Sequence, residues 1–522
     1  MATKKTLRVR RSLRELEKDY MAGNKEPLEH LMRAWKGIKE LPPDDLKSFF
    51  NLGGLHGEPF RGAGWGLNTF WGGYCNHGNV LFPTWHRVYC YKLEQALQSI
   101  PGCQDVMLPY WDETDEESLK EGIPWSLTEE YFTLDKKKIP NPLRSFVFPV
   151  TITDNVSGDD GLYTKPKGYE TVRYPYSGLV GTEKAKKKSE AHNKKYPYHE
   201  GVKLLNKNIV GWLNGTVKLP PPVRHLKNGI LQSFEQCLDA PNYTVFSNTS
   251  SAQQWNQLND GKKAVMPLEQ PHNDIHLAVG GFDVPNQGNF SPVADANGDM
   301  GENDTAGLDP IFFFHHCNVD RMFWVWQKRN GYTDGLDIFP NYPGTNTSDS
   351  QGATPGVPAN AWLDLDTPLS PFTKDDGKTI FTSMDCINIE KQLGFTYSIG
   401  SLDDKEKVIS QRNAAPAKTV RKLVVSDINR APIKGSFVIS AFATIDGETY
   451  HIGSRGVLSR WAVMGCANCQ THLEVKAFFD LDFMTAEKRD AASYHVQITG
   501  RQPAAPMLAL IEEKSPYKIE VR

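Results

Sequence analysis

At 522 residues, with 39% hydrophobic and 23% charged side chains, the chain is long enough for two hydrophobic cores and has the composition of a soluble globular protein. A formal net charge of -3 leaves no basic footprint for nucleic acid. No stretch approaches the ~18 apolar residues of a membrane span, and eight cysteines are too sparse for a disulfide scaffold. The opening Met-Ala-Thr-Lys-Lys-Thr-Leu-Arg-Val-Arg-Arg has no apolar run after its charges, so no secretory signal is expected and the expected location is cytoplasmic.

In chain order, residues 12–50 carry helical spacing (Leu13, Leu16, Tyr20; Leu28, Leu31, Met32, Trp35). Trp85 to Leu97 reads as a buried helix that Pro101-Gly102 ends. Residues 112–210 are polar and turn-rich and read as loops on a scaffold, with the Lys-rich segment 183–195 as solvated surface. Residues 222–240, 268–280 and 309–329 read as helices, the last with Phe312, His316, Val319, Phe323 and Trp326 on one stripe. Segment 401–419 is charged and aperiodic, as a linker is. Short alternating runs follow at Lys422–Val425, Ser436–Thr444, Leu473–Phe479, Tyr494–Thr499, Met507–Glu512 and Tyr517–Val521, the pattern of an all-β sandwich. The expected architecture is a mainly α domain over 1–400, a linker over 401–420 and a β-sandwich over 421–522 that covers the active site.

His272 and His276 stand four apart, so one helix face presents both imidazoles to a single metal ion. A third histidine from a facing helix, in Asp-Pro-Ile-Phe-Phe-Phe-His315-His316, would complete that site. Upstream, His56, His77 and His86 form a second candidate triad. His77 and His86 are nine apart and would face opposite sides of one helix, so His77 must precede the helix, and Pro83 favours a start near there. Imidazole donors suit zinc, copper, iron and nickel, so spacing alone leaves open a copper pair that handles O2 and a hydrolytic zinc pair. The remaining histidines (His30, His192, His199, His225, His451, His472, His495) read as surface or satisfied polar groups.

Tyr74-Cys75-Asn76-His77 and Trp85-His86-Arg87, taken with His272, His276, Asp309-Pro310, His315-His316 and Asn318-Val319-Asp320-Arg321, resemble the type-3 copper proteins. That family holds tyrosinases, catechol oxidases and molluscan haemocyanins, and the resemblance runs over roughly 45–400, with Cys75 most similar to fungal-type tyrosinases. It implies a four-helix-bundle dicopper core in which copper A takes His56, His77 and His86, and copper B takes His272, His276 and His316. His315 then becomes a hydrogen-bonding neighbour of the metal site. A thioether between Cys75 and His77 is implied as well. Glu269 and Asn273 match the pair that orients a proton-accepting water. Phe312 matches an aromatic packed on the copper-B side, and Asn303 falls at a substrate-gate position.

Phe395-Thr396-Tyr397 resembles the motif closing the catalytic domain, whose partner is an arginine near the N-terminus; Arg8, Arg10 and Arg11 are available for a cation–π contact. The later β domain resembles the removable cover of longer tyrosinases or the β domain of haemocyanin. The usual plug phenylalanine is absent from Gly456-Val457-Leu458-Ser459-Arg460-Trp461, leaving Val457, Leu458 or Trp461 for that role. Cys466 and Cys469 could hand Cu(I) to the site, since thiolates select it. The implied activity is ortho-hydroxylation of monophenols and oxidation of o-diphenols to o-quinones with O2 as co-substrate and two copper ions as cofactor. A catechol oxidase or o-aminophenol oxidase without monophenolase activity, and a haemocyanin-like O2 carrier, are the alternatives. Small phenols are the expected partners, with no nucleic acid or membrane, and a homo-oligomer is left open.

Overall fold

The computed structural model describes residues 7–57, 73–153, 161–217, 223–226, 228–281, 293, 295–349, 357–358, 360–403, 420–433, 435–459, 474–500 and 517–522. Trp461, Cys466, Cys469, His472, most of the expected linker and the run Met507–Glu512 lie outside them.

The first part of the chain is helical: α1 (Leu13–Met21), α2 (Glu26–Glu40), α3 (Phe49–Gly54), α4 (Phe82–Gln98), α5 (Glu116–Glu121), α6 (Glu183–Asn193), α7 (Tyr198–Asn214), α8 (Ile230–Cys237), α9 (Tyr243–Ser247), α10 (Thr249–Leu258), α11 (Glu269–Gly280) and α12 (Ile311–Asn330). Ser12 and Glu15 close α1 with a reciprocal capping box, and α2 buries one stripe of Leu28, Leu31, Met32, Trp35 and Ile38. α11 is buried at every position, and α12 is buried from Ile311 to Gln327. Helices hidden on all sides belong at the centre of a domain. α12 packs on α4 and α11, α2 backs α4, and α7 covers α11.

The helices of 112–210 correct the expectation of loops there. α6 was hidden because Glu183-Lys-Ala-Lys-Lys-Lys has strong helix formers and a Thr182 cap, yet no apolar stripe to read. Most of its residues are exposed, as a solvated lysine face requires. The stretch 222–240 is also not one helix: it opens with β4 (Val223–His225) before α8.

Near the chain's start, β1 (Arg8–Arg10) pairs in parallel with β7 (Phe395–Tyr397). The Arg10 guanidinium lies 3.7 Å from the Phe395 ring centroid and 2.9 Å from Tyr397 Oη, and also meets Glu94 at 2.8 Å. Arg10 is therefore the arginine that ties the two ends of this part together. Two small hairpins, β2–β3 (Tyr131–Leu134, Lys137–Pro140) and β5–β6 (Pro368–Thr373, Ile380–Thr382), decorate it.

After residue 420 the chain turns to strands. β8 (Lys422–Asn429), β11 (Glu474–Asp480) and β13 (Lys518–Val521) form one sheet, in the order β11-β8-β13. β9 (Phe437–Ile445), β10 (Glu448–Val457) and β12 (Ser493–Gly500) form another, in the order β12-β9-β10-β4. Sequence reading missed β10, because Gly453 and Gly456 break its alternation and the register shifts after His451. The fourth strand of this sheet is β4, lent by the helical part: Val223, Arg224 and His225 pair in parallel with Thr449, Tyr450 and His451. Val438 and Phe442 of β9 join the main helical core. The chain thus folds as a helical part and a C-terminal β part joined by a shared sheet and a continuous core.

Candidate metal centre

Three elements bring His56, His77 and His86 together. His56 follows α3, which approaches closely because Gly53 and Gly307 face each other; a Cβ on Gly53 would stand 2.5 Å from Gly307 O. His77 lies in the loop before α4, and Pro83 sits in the first turn of that helix, so His86 turns inward one turn later. α11 supplies His272 and His276, and α12 supplies His316. One ring nitrogen from each of His56, His77 and His86 lies within 4.8 Å of the others, and the same holds for His272, His276, His315 and His316. All seven are buried.

The hydrogen bonds decide which nitrogen is free to bind. His56 Nδ1 donates to Asn303 O (3.1 Å), His86 Nδ1 to Phe82 O (2.8 Å) and His276 Nδ1 to Met300 O (2.8 Å). A carbonyl only accepts, so each proton sits on Nδ1 and each Nε2 keeps its lone pair. His272 Nδ1 does the same with Asn273 Oδ1 at 3.0 Å. The Nε2 atoms of His272 and His276 then each stand 3.2 Å from His316 Nε2. Three nitrogens around a metal at 2.0–2.1 Å would be about 3.3 Å apart in tetrahedral geometry. His316 Nδ1 makes no hydrogen bond and can carry that ring's proton, which turns its Nε2 into a third donor at this spacing, so the copper-B set fits a metal. Burial holds His86 down to about 3, and keeps His272, His276 and His316 well below the usual imidazole range. Neutral imidazoles are the form that ligates.

The two groups adjoin. His86 and His316 stack with centroids 4.6 Å apart, and His77 and His272 at 5.5 Å. Phe312 lies flat on His316 at 3.9 Å and edge-on to His56 at 4.7 Å, so it packs against both sets, where the resemblance implied the copper-B side alone. Arg87, next to His86, pairs with Asp320, four residues beyond His316, and locks α4 to α12.

Glu269 and Asn273 flank His272 on α11. Glu269 Oε1 accepts from Gly78 N at 2.8 Å, and Oε2 accepts from Thr249 N and Oγ1 at 2.8 and 2.9 Å. Burial raises its carboxyl above the usual range, and those bonds oppose the rise. Gly78 and Asn273, the residues directly after His77 and His272, line one cleft with Val457 and Leu458. Cys75 is buried, with Sγ 3.8 Å from Asn303 Nδ2.

Asn303, expected at a substrate-gate position, lies against the copper-A set. It is fully buried, and its main-chain carbonyl holds His56. The three carbonyls of Phe82, Met300 and Asn303 were invisible to sequence reading, since no side-chain pattern records a main-chain acceptor. Glu113 was missed because it sits in the stretch read as loops; its Oε1 lies 2.6 Å from His315 Nδ1. His315 therefore does have a hydrogen-bonding role, although its ring also belongs to the four-imidazole group. Outside the centre, His192 and His451 are buried and satisfied by Pro175 O and Ser454 Oγ.

The family model for the common central domain of tyrosinase matches residues 46–329, which hold all seven of these histidines. A tyrosinase named HcTyr2 from Hahella sp. (strain CCB-MM4) is 56% identical over 96% of this chain and 93% of its own length. A tyrosinase from Aspergillus oryzae is 44% identical over 92% and 90%. A solved tyrosinase from Burkholderia thailandensis, at low pH condition, superposes with a TM-score of 0.86 at 54% identity, covering 99% of this chain and 100% of that one. With two imidazole triads that fit two coppers and relatives matched along nearly its whole length, the chain belongs to the tyrosinase family and is a copper oxidoreductase of the tyrosinase type.

Proposed function

We propose that this polyphenol oxidase works on monophenols and o-diphenols alike, hydroxylating the first ortho to the hydroxyl and oxidising the second to o-quinones with O2. The observation that carries this reading is the pair of adjoining, buried imidazole triads, each with its ring nitrogens gathered within 4.8 Å. When bound by His56, His77 and His86 and by His272, His276 and His316, the two coppers supply the redox chemistry with O2. The chain's own residues fix the imidazoles, exclude water and manage the proton.

Asn273 uses Oδ1 on His272, which leaves its Nδ2 to hold a water at the cleft it lines. Glu269, with three acceptor positions committed, leaves one lone pair for the same water. In this reading the water takes the phenol's proton, and Glu269 also ties the loop after His77 to α11. A thioether between Cys75 and His77 would fix the copper-A ring in the loop before α4.

The β part is read as a two-sheet sandwich over 421–522, joined by a linker over 401–420 to a catalytic domain built on a four-helix bundle over 1–400. Leu423, Val425, Ile439, Ala441, Ala477, Phe479 and Val496, drawn from both sheets, share one apolar core, which supports it. Val457 and Leu458 are its candidate plug. The cysteine pair Cys466 and Cys469 as copper carrier, Trp461 as plug and a cytoplasmic location rest on sequence alone.

Oxygen uptake by the copper-loaded protein, with a monophenol and with a catechol, tests the reading. Turnover of both is expected, and Asn273→Ala should slow the monophenol by about 10–100-fold while leaving the catechol far less affected. Turnover of catechol alone in the wild type would show an oxidase without monophenolase activity, and equal loss of both in Asn273→Ala would remove the proton role.

A further inference from the structure

His56, His86 and His276 donate to main-chain carbonyls, but His315 meets a carboxylate. Glu113 is fully buried, with Oε1 on His315 Nδ1 at 2.6 Å and Oε2 accepting from Asn318 Nδ2 at 3.0 Å. Its segment is pinned to α12 by Trp111 N donating to Phe314 O at 3.0 Å. The His315 ring in turn stacks on the His272 ring, with centroids 5.3 Å apart and planes 20° from parallel.

His272 is the copper-B ligand whose backbone most needs such support. It sits in the first turn of α11 directly after Pro271, which has no N–H to give. Its own N–H reaches Leu268 O only at 3.5 Å, the limit of a hydrogen bond. His276 lies a turn further in and is fixed by Met300 O at 2.8 Å. The His272 ring meets Asn273 Oδ1 at 3.0 Å, but that partner rides on the same loosely bonded turn, so the ring's attitude also depends on what packs on its face.

We propose that Glu113 and His315 are positioning residues for copper B: the carboxylate orients the His315 ring, and that ring holds the His272 imidazole in its metal-binding attitude. Copper A is supported separately, through Asn303 O on His56 and Phe82 O on His86. The pair touches no substrate in this account. Its effect is on how firmly one of the two metals is kept, with copper A left unchanged.

Copper retention tests this without reference to turnover. The copper-loaded full-length protein is placed with an excess of chelator, and copper per chain is followed in time, with unfolding of the copper-free protein measured alongside. Glu113→Ala and His315→Phe are expected to lose one copper of the two about 10–100-fold faster than wild type, the other leaving at the wild-type rate. In a His56→Ala background, which weakens copper A, the copper that remains should show the same acceleration. Glu113→Gln separates positioning from charge: its amide oxygen still accepts from His315, and Asn318 Oδ1, which has no hydrogen-bond partner, can take the new N–H once the Asn318 amide turns. That variant should keep both coppers within a few-fold of wild type. If Glu113→Ala does not fold, His315→Phe and Glu113→Gln carry the comparison. Wild-type retention in His315→Phe, equal acceleration of both coppers, or Glu113→Gln losing copper as His315→Phe does would each overturn the proposal.

Discussion

Gly456→Ala is the substitution that best probes how the β part sits on the copper centre. Gly456 lies on β10 against α11, and a Cβ there would stand 2.6 Å from Asp274 Oδ1 and 2.9 Å from Leu277 Cδ1. Both approaches are too short to be absorbed without movement. The movement acts on two hydrogen bonds, Gly456 N to Asp274 Oδ1 at 2.7 Å and Gln270 Nε2 to Gly456 O at 2.9 Å. Losing both, one of them to a carboxyl group, costs about 2–4 kcal/mol. At 1.4 kcal/mol per decade that raises the population with β10 lifted by roughly 30- to several-hundred-fold. If Val457 and Leu458, the next residues on the chain, cover the cleft, the intact variant should turn over monophenol faster than the intact wild type. Cleavage within 404–419 should then bring the two proteins together. The assay is initial-rate oxygen uptake before and after limited proteolysis, with the rate of proteolysis reporting the opening. Faster proteolysis of the variant with unchanged turnover would refute the idea that this segment limits access.

Arg10→Met should lower stability by about 3–5 kcal/mol, because it strips the buried Glu94 carboxylate of its cation and removes the contact on Phe395; a loss under about 1 kcal/mol in denaturant titration would show that Arg10 does not tie the ends. Glu17→Gln should stabilise the protein above pH 7 and leave it unchanged below about pH 4. Burial raises the Glu17 carboxyl to about 7, while Ser126 N and Oγ still have an acceptor in the amide. The unfolded chain ionises from about pH 4.5 and the folded one only near 7, so the wild type loses stability as pH rises between these values and keeps the full cost above them. Melting curves at pH 4 and 8 check this, and a constant difference between the variants would refute it. A thioether between Cys75 and His77 predicts a peptide lighter by two hydrogens and a Cys75 that resists alkylation in denaturant; ready alkylation would rule the bond out.

Much of the centre was legible because its histidines obey backbone periodicity. The four-residue step from His272 to His276 needs nothing but a helix, and Pro83 dates the start of α4 so that His77 must lie on a loop. Adjacent His315 and His316 mark where that arithmetic stops: successive helical residues diverge by about 100°, yet all four imidazoles gather within 4.8 Å, so spacing alone does not choose between the two. The β part was read correctly where strands alternate and was missed at β10, where two glycines interrupt the pattern. β4 could not have been found: its three residues pair with a strand more than two hundred positions later, and a short segment carries no sign of so distant a partner.

The deeper limit lies in what makes six histidines a metal centre rather than six buried imidazoles. A neutral imidazole offers a lone pair on either nitrogen, and only the hydrogen bond made by one decides that the other faces the metal. Here the carbonyls of Phe82, Met300 and Asn303 make that choice for His86, His276 and His56. Any residue can supply a carbonyl, so the choice belongs to the path of the backbone. The path is set in turn by features that look unrelated to copper, such as the Gly53–Gly307 contact that lets His56 reach Asn303. Glu113 is the exception that shows the rule. It acts through a side chain, and sequence reading lost it only because its segment lacked periodicity. Residues that hold a ligand by side chain can be recovered from a structure and tested by substitution. Those that hold it by carbonyl can be tested only by moving the backbone, which is why the glycines beside this centre carry as much of its specification as the residues that touch the metal.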